Sequence, residues 1–253
     1  MKPETDVAKE LARFTAFDGY TPAELADLVK GRLPHEIADG KTFITQGNLP
    51  KEVLFLLSGL VFVYRRLPDE RQRAGKTESR AIPLGFLREP HILGEFEPML
   101  PSSTYVASVR SVTTLEVWSI PVEEFIAMSE RMGTNLTKAI CEKINHAVIF
   151  AETTAVTTKK SAMLNVIELY AKTLGVEEDD EGFLHIDRAL KPSRVGKFAD
   201  CGVSHRENFF KKLSSEGVLV YDEGQEDDKE KSYKIHLVRA RSLMEGNNSE
   251  QGW

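Results

Sequence analysis

Apolar residues in the first thirty positions recur at helical spacing, Val7, Leu11 and Phe14 and then Leu25 and Leu28, which predicts two short amphipathic helices over Glu4 to Phe14 and Thr21 to Lys30. Thr21-Pro22-Ala23-Glu24 marks the start of the second. Its Thr caps, its proline sits where no amide hydrogen is needed, and its Glu can reach back to the cap. From Glu36 the period changes. The runs KTFITQG, EVLFLLSGLVFVYRR, RAIPLGFL, TYVASVRS and TLEVWSIP are rich in Val, Ile, Phe and Thr and bounded by Gly or Pro, and they predict an antiparallel barrel or roll. Gly40, Gly47 and Gly59 fall at its corners.

After Pro121 the pattern is helical, first VEEFIAMSERM and then a long helix from Asn135 to about Thr154. Leu136, Ile140, Ile144, Ala147 and Ala151 form its repeating apolar face, with Val148 and Ala155 alongside. Such a face needs a partner, either the roll of the same chain or a second copy in a parallel coiled coil. Met163, Leu164, Ile167 and Tyr170 mark a further helix that ends near Gly175, ahead of the acidic linker EEDDEG. FLHIDRAL then reads as a short strand and its approach, and SRVGKFADCGVSHRENFFKKLSSEGVLVYDEG as helix, turn, helix and strand. VLVY and YKIHLV predict a hairpin around the polar loop DEGQEDDKEKS.

A chain of 253 residues exceeds the usual single-domain size, so two domains are expected. With 41% hydrophobic and 28% charged residues it has the composition of a globular protein. The net charge of −6 excludes a uniformly positive surface, yet Arg188 to Lys212 holds seven basic residues against two acids, a local basic patch. The two cysteines, Cys141 and Cys201, are too few for an iron–sulfur cluster and lack metal-ligand spacing. Both are expected to be buried free thiols in a reducing compartment. No apolar run approaches the ~20 residues that span a bilayer, and the first residues are too charged for a signal peptide. A cytoplasmic protein is the expectation. The chain has no Walker loop, GxSxG elbow or HExxH motif, so it is not expected to be an enzyme.

The order of these elements resembles the CRP/FNR superfamily of bacterial transcription regulators over roughly residues Leu25 to Val238. FITQG and LFLLSG punctuate the roll, Leu93-Gly94-Glu95 follows, and a long helix leads to a helix–turn–helix with a hairpin. The resemblance implies an α+β fold with an antiparallel, jelly-roll-like sensor domain and leading helices at 1–121. It implies a connecting and dimerisation helix at 122–157 and a winged helix–turn–helix at 158–241; the terminal stretch 242–253 is expected to be a disordered tail. It further implies a homodimer that binds a double-stranded DNA operator, with RNA polymerase as a further partner. The alternative is a cyclic-nucleotide-type regulatory module that acts through protein contacts rather than DNA.

In the nucleotide-binding members of that family, a Gly-Glu pair opens the phosphate cassette, the Glu accepts from the ribose hydroxyl, and an Arg clamps the cyclic phosphate. Gly94 and Glu95 match the pair, but Tyr105 stands at the Arg position, followed by Val106, with one extra residue between. Tyr offers one neutral hydrogen bond where Arg offers a charged fork. At about 1.5 to 3 kcal/mol for each charge-assisted hydrogen bond, that loss weakens a cyclic phosphate by orders of magnitude. Cyclic AMP is therefore not expected to bind in the usual way, haem is not expected, and the sensed signal stays open. In a regular strand through TYVASVR, Arg110 faces away from Tyr105 and Ala107.

By the same resemblance, Gly202-Val203-Ser204 is the turn into the recognition helix, with Ser204 as N-cap. His205, Arg206, Asn208, Lys211 and Lys212 are then exposed DNA-binding candidates, joined by Ser193, Arg194 and Lys197 from the preceding helix. Arg206 is assigned to a guanine and Asn208 to an adenine. Phe209, Phe210 and Leu213 face the core, and Gly217 ends the helix. The segment from Ser204 to Gly217 is about two residues shorter than the family pattern, so either the helix is shorter or the turn is displaced.

Overall fold

The computed structural model describes residues 4–67, 80–100, 103–154, 158–222 and 232–245, with the side chains of 67, 80, 149–154 and 245 outside that description. The chain divides into two compact units, Met1–Arg66 with Leu84–Ile149 and Leu67–Pro83 with Phe150–Trp253.

The first unit opens with helices α1 (Glu4–Leu11) and α2 (Pro22–Val29). The capping box of α2 is complete: the Glu24 amide donates to Thr21 Oγ1 at 3.3 Å, and the Thr21 amide donates to the Glu24 carboxylate at 2.8 Å. Eight strands follow: β1 (His35–Ile37), β2 (Thr42–Ile44), β3 (Glu52–Ser58), β4 (Leu60–Leu67), β5 (Arg80–Arg88), β6 (His91–Leu93), β7 (Ser108–Ser111) and β8 (Leu115–Pro121). They form two four-stranded sheets, ordered β1-β8-β3-β6 and β2-β7-β4-β5. Helix α3 spans Val122–Thr154.

The continuous apolar run of β3 is explained by burial on both faces. Val53, Phe55 and Leu57 point out of the roll into a core with Phe14, Phe17, Leu25, Trp118, Phe125, Met132 and Leu136. Leu54 and Leu56 point inward with Ile44, Val61, Tyr105, Val109 and Val117. The rings of Phe14 and Trp118 lie 5.5 and 5.3 Å from Phe55. Polar ties hold the start of α3 to the leading helices. Arg32 makes a two-pronged bond to Glu124 at 2.6 and 2.7 Å, and Arg131 pairs with Glu24 while covering the Tyr20 ring at 4.2 Å.

Helix α3 is two helices joined at Gly133, whose φ of 49° and ψ of −123° are open to glycine alone. The expected single apolar face is divided as well. Leu136 is buried and Ile140 half-buried against the roll, whereas Ile144 and Val148 are exposed. Ala147 is half-buried, the Ala151 side chain falls outside the description, and Ala155 lies outside the described residues. Cys141 is exposed rather than buried, because it sits on the solvent side of this helix; Cys201 is half-buried.

The second unit contains α4 (Lys159–Leu174), β9 (Leu184–Ile186), α5 (Pro192–Phe198), α6 (Val203–Ser215), β10 (Leu219–Tyr221), β11 (Tyr233–Ile235) and α7 (Leu237–Glu245). Its sheet is ordered β10-β11-β9, so the two-stranded wing gains β9 as a third strand. Met163, Ile167, Tyr170, Val195, Phe209, Leu213 and Tyr233 fill its core. Tyr170 donates to Asp187 Oδ1 at 2.7 Å, and burial followed by this neighbour pushes its phenol well above the usual range. The polar loop between β10 and β11 lies outside the described residues from 223 to 231.

The expected disordered tail is corrected at its start. Residues 237–245 are helical, since Leu237, Ala240 and Met244 are buried at helical spacing and Arg241 bonds Glu168 and Asn165 of α4. Residues 246–253 lie outside the described residues.

Candidate sensor pocket and nucleic-acid interface

Strand β6 delivers Leu93 to the roll interior, and the chain then turns at Gly94, where φ is +76°. A Cβ at Gly94 would lie 3.0 Å from Tyr105 Cε1 and 3.3 Å from its hydroxyl, so the glycine admits the ring as well as the turn. Tyr105 is 7% exposed and donates from its hydroxyl to the Glu52 carbonyl at 3.2 Å. Burial first, then the nearby Glu97 and Glu52 carboxylates, push its phenol up to about 12.

The expected strand TYVASVRS begins only at Ser108. Upstream, the Tyr105 amide donates to the Asn48 carbonyl and the Gly47 amide to the Tyr105 carbonyl, both at 2.9 Å. Those bonds belong to a loop junction, so strand alternation does not govern Tyr105. Arg110 turns away and donates to the Gly40 carbonyl at 2.9 Å.

Val106 is exposed, and its amide donates to the buried carboxylate of Glu97 at 2.9 Å. Glu95 is also buried, 4% exposed, and its carboxylate pairs with Lys143 Nζ, which donates to the Ile92 carbonyl too. The Tyr105 hydroxyl and the Glu97 and Glu95 carboxylates of the cassette are thus each bonded by the chain itself. Gly94 meets Tyr105, Val106 meets Glu97, and Glu95 meets α3. Sequence reasoning overlooked Lys143, although a lysine three residues after Ile140 on a roll-facing stripe was the available signal.

In the second unit, α5 and α6 are joined by a tight turn in which the Cys201 amide donates to the Gly196 carbonyl at 2.8 Å and Asp200 takes a φ of +52°. The cap of α6 is Gly202 rather than Ser204. No side chain caps it, and Ser204 lies one residue inside the helix. Phe209, Phe210 and Leu213 are buried, and Glu216 and Gly217 close the helix with Gly217 at a φ of +65°.

Val203, Ser204, Glu207, Asn208 and Lys211 share the exposed face, with His205 at its edge. Arg206 does not belong to that face. It is spaced with Phe210 and Leu213, its side chain is 15% exposed, and a Cβ at Gly196 would lie 2.8 Å from its Cδ. Its stem covers the close approach of α5 to α6, with the guanidinium 3.5 Å from Glu207. Lys212 is half-buried. On α5, Lys197 is exposed and Ser193 half-buried, while Arg194 is half-buried and donates to the Ala189 carbonyl at 2.8 Å.

A two-sheet roll followed by a helix, a helix–turn–helix and a wing defines a two-part α+β architecture. Residues 34–132 match the family described as the cyclic nucleotide-binding domain. Among solved structures, the chain is similar to the c-di-GMP-responsive global regulator of Xanthomonas campestris, with 13% identity, a TM-score of 0.61, and coverage of 83% of this chain and 96% of that one. It is similar to a CRP/FNR-family transcriptional regulator from Eubacterium rectale, with 12% identity, a TM-score of 0.62, and coverage of 91% and 97%. It is also similar to a CRP-family transcriptional regulator from Thermus thermophilus, with 14% identity, a TM-score of 0.56, and coverage of 82% and 95%. No curated protein matches the chain. The chain has the α+β fold of the CRP/FNR superfamily, with a cyclic-nucleotide-binding-type roll. Among the described residues no helix is long and apolar enough to cross a membrane.

Proposed function

We propose that the chain is a homodimeric, sequence-specific DNA-binding transcription regulator whose roll does not take cyclic AMP in the usual way. The observation that carries the reading is the exposed face of α6. Ser204, Asn208 and Lys211 stand outward on a helix packed against α5 and the first wing strand, the placement from which a recognition helix reads the major groove. Ser193, Arg194, Lys197 and Lys212 flank it as phosphate contacts. His205 reaches base edges from the rim, and Arg206 supports the helix from beneath.

The exposed stripe of Cys141, Ile144 and Val148 on the second half of α3 is the surface a second copy covers in a parallel pairing. Leu136 already packs on its own roll, so the dimer seam is displaced from the one the sequence periodicity suggests. Tyr105 over Gly94 and Lys143 on Glu95 support the reading that the roll does not take cyclic AMP in the usual way. Recruitment of RNA polymerase follows from the regulator reading.

Selection from a pool of randomised duplexes, followed by anisotropy titration of the enriched sequence, tests this. The expected product is a two-fold symmetric site whose affinity drops by roughly a thousandfold or more between 50 and 200 mM salt, the behaviour of about six or more neutralised phosphates. No enrichment, or affinity indifferent to salt, would refute DNA binding and favour docking to a protein. Calorimetry with cyclic AMP is expected to give no isotherm, and a tight one would overturn the reading of Tyr105.

A further inference from the structure

We propose that the Lys143–Glu95 pair is the latch that fixes the second half of α3 to the cassette of the roll, with Gly133 as its hinge. The inference concerns the roll and α3 alone, and it stands whether or not the second unit binds DNA.

Three observations converge. First, α3 is not one rod. The non-helical backbone at Gly133 separates a first part clamped by Arg32–Glu124 and Arg131–Glu24 from a second part that these bonds do not reach. Second, the second part touches the roll along one stripe. Leu136 and Ile140 join the outer core, Lys143 follows one turn later, and Ile144 and Val148 point to solvent. Third, the bond is anchored at both ends. The Glu95 side chain is 5% exposed and that of Lys143 24%, and the same ammonium holds the carbonyl of Ile92, a member of the same core.

A buried carboxylate demands a partner, and within the cassette Tyr105 bonds Glu52 and Val106 bonds Glu97. Lys143 therefore meets the need of Glu95 from α3. The consequence is a contact of a different kind from the apolar ones beside it. Leu136 and Ile140 hold the helix by shape, whereas the ion pair is exchangeable. Any group that offers Glu95 a better donor releases Lys143 and leaves the helix held near its hinge only.

Hydrogen exchange on the full-length protein tests the latch, using Lys143→Met, Glu95→Gln, the double variant and the conservative Lys143→Arg. Amides of 134–148 are expected to exchange at least tenfold faster in each single variant, those of β3 to stay unchanged, and Lys143→Arg to stay near wild type. The double variant is expected to match the singles rather than multiply them, the mark of one shared contact. If Lys143→Met loosens β3 as well, because it strands a buried carboxylate, Glu95→Gln decides the matter, since it removes the charge. Unchanged exchange at 134–148 in Glu95→Gln, or multiplying effects in the double variant, overturns the proposal.

Discussion

Tyr105 offers a direct energetic test of a self-filled cassette. Tyr105→Phe removes one hydrogen bond, to the Glu52 carbonyl at 3.2 Å, and is expected to cost about 1 to 2 kcal/mol because the acceptor is left beneath the ring. Tyr105→Ala removes in addition a ring that is 7% exposed and packed on Gly94, for a total of about 3 to 5 kcal/mol. Urea unfolding monitored by Trp118, which is buried beside Phe55, reads the roll, in a Trp253→Phe background that makes it the sole reporter. At a slope of roughly 2 kcal/mol per molar urea, the midpoint falls by about 0.5 to 1 M for Phe and 1.5 to 2.5 M for Ala.

The pH dependence is a second check on the same residue. The phenol is raised to about 12 in the fold from about 10 in the unfolded chain. Its contribution is therefore intact below pH ~10 and lost as pH rises through ~12. Wild type loses this stability and Tyr105→Phe has none to lose, so the gap between them is expected to narrow over that window. An Ala variant within ~1 kcal/mol of wild type, below the cost of emptying a buried aromatic site, would show that the ring does not fill the space over Gly94.

In the DNA-binding unit, Lys211→Ala is expected to weaken all duplexes alike and to reduce the salt slope by about one, whereas Asn208→Ala costs about 1 to 3 kcal/mol and relaxes preference at one base pair. Anisotropy titrations over several salt concentrations separate the two. Gly133→Ala forces a side chain onto backbone that only glycine adopts, with an expected loss of about 1 to 3 kcal/mol in thermal or urea unfolding. Thr21→Ala removes the cap of α2 at about 1 kcal/mol. The Thr21 backbone bond, followed by Arg131, holds the Glu24 carboxyl down at about 2. The carboxylate half of that cap is therefore present above the ordinary carboxylate range and lost as pH falls through ~2, which circular dichroism in an acid titration of the two proteins reads as a difference present at neutral pH that narrows at low pH.

Elements whose pattern reports burial were legible in the sequence. The run EVLFLLS reads as a strand because both of its faces are covered, and Thr21 to Glu24 reads as a helix start because the cap is local chemistry. What misled were places where a distant partner decides. Tyr105 looks like part of a strand, but Asn48 and Gly47 take its backbone bonds. Arg206 looks like a surface reader in an exposed, charged stretch, but Gly196 on the preceding helix makes room for its stem.

Helix α7 was missed because Leu237 and Val238 extend the apolar run of β11. The helix is set by packing of Leu237, Ala240 and Met244 and by the bond from Arg241 to α4. Of the cassette, Gly94 and Glu95 were visible as a motif, while Lys143 showed only its place on the roll-facing stripe, with its partner 48 residues away.

The break at Gly133 gives the helix the mechanics of a lever. Residues 134–149 form an arm roughly 24 Å long at about 1.5 Å per residue. A swing of about 10° at the pivot shifts Leu136 by less than ~1 Å, within the give of an apolar contact, but carries position 143 by about 2.6 Å and position 149 by about 4 Å on the same helical rise. A displacement that the core beside the pivot scarcely registers is thus enough to part an ammonium from its carboxylate, and it is largest along the stripe of Ile144 and Val148 that stands uncovered.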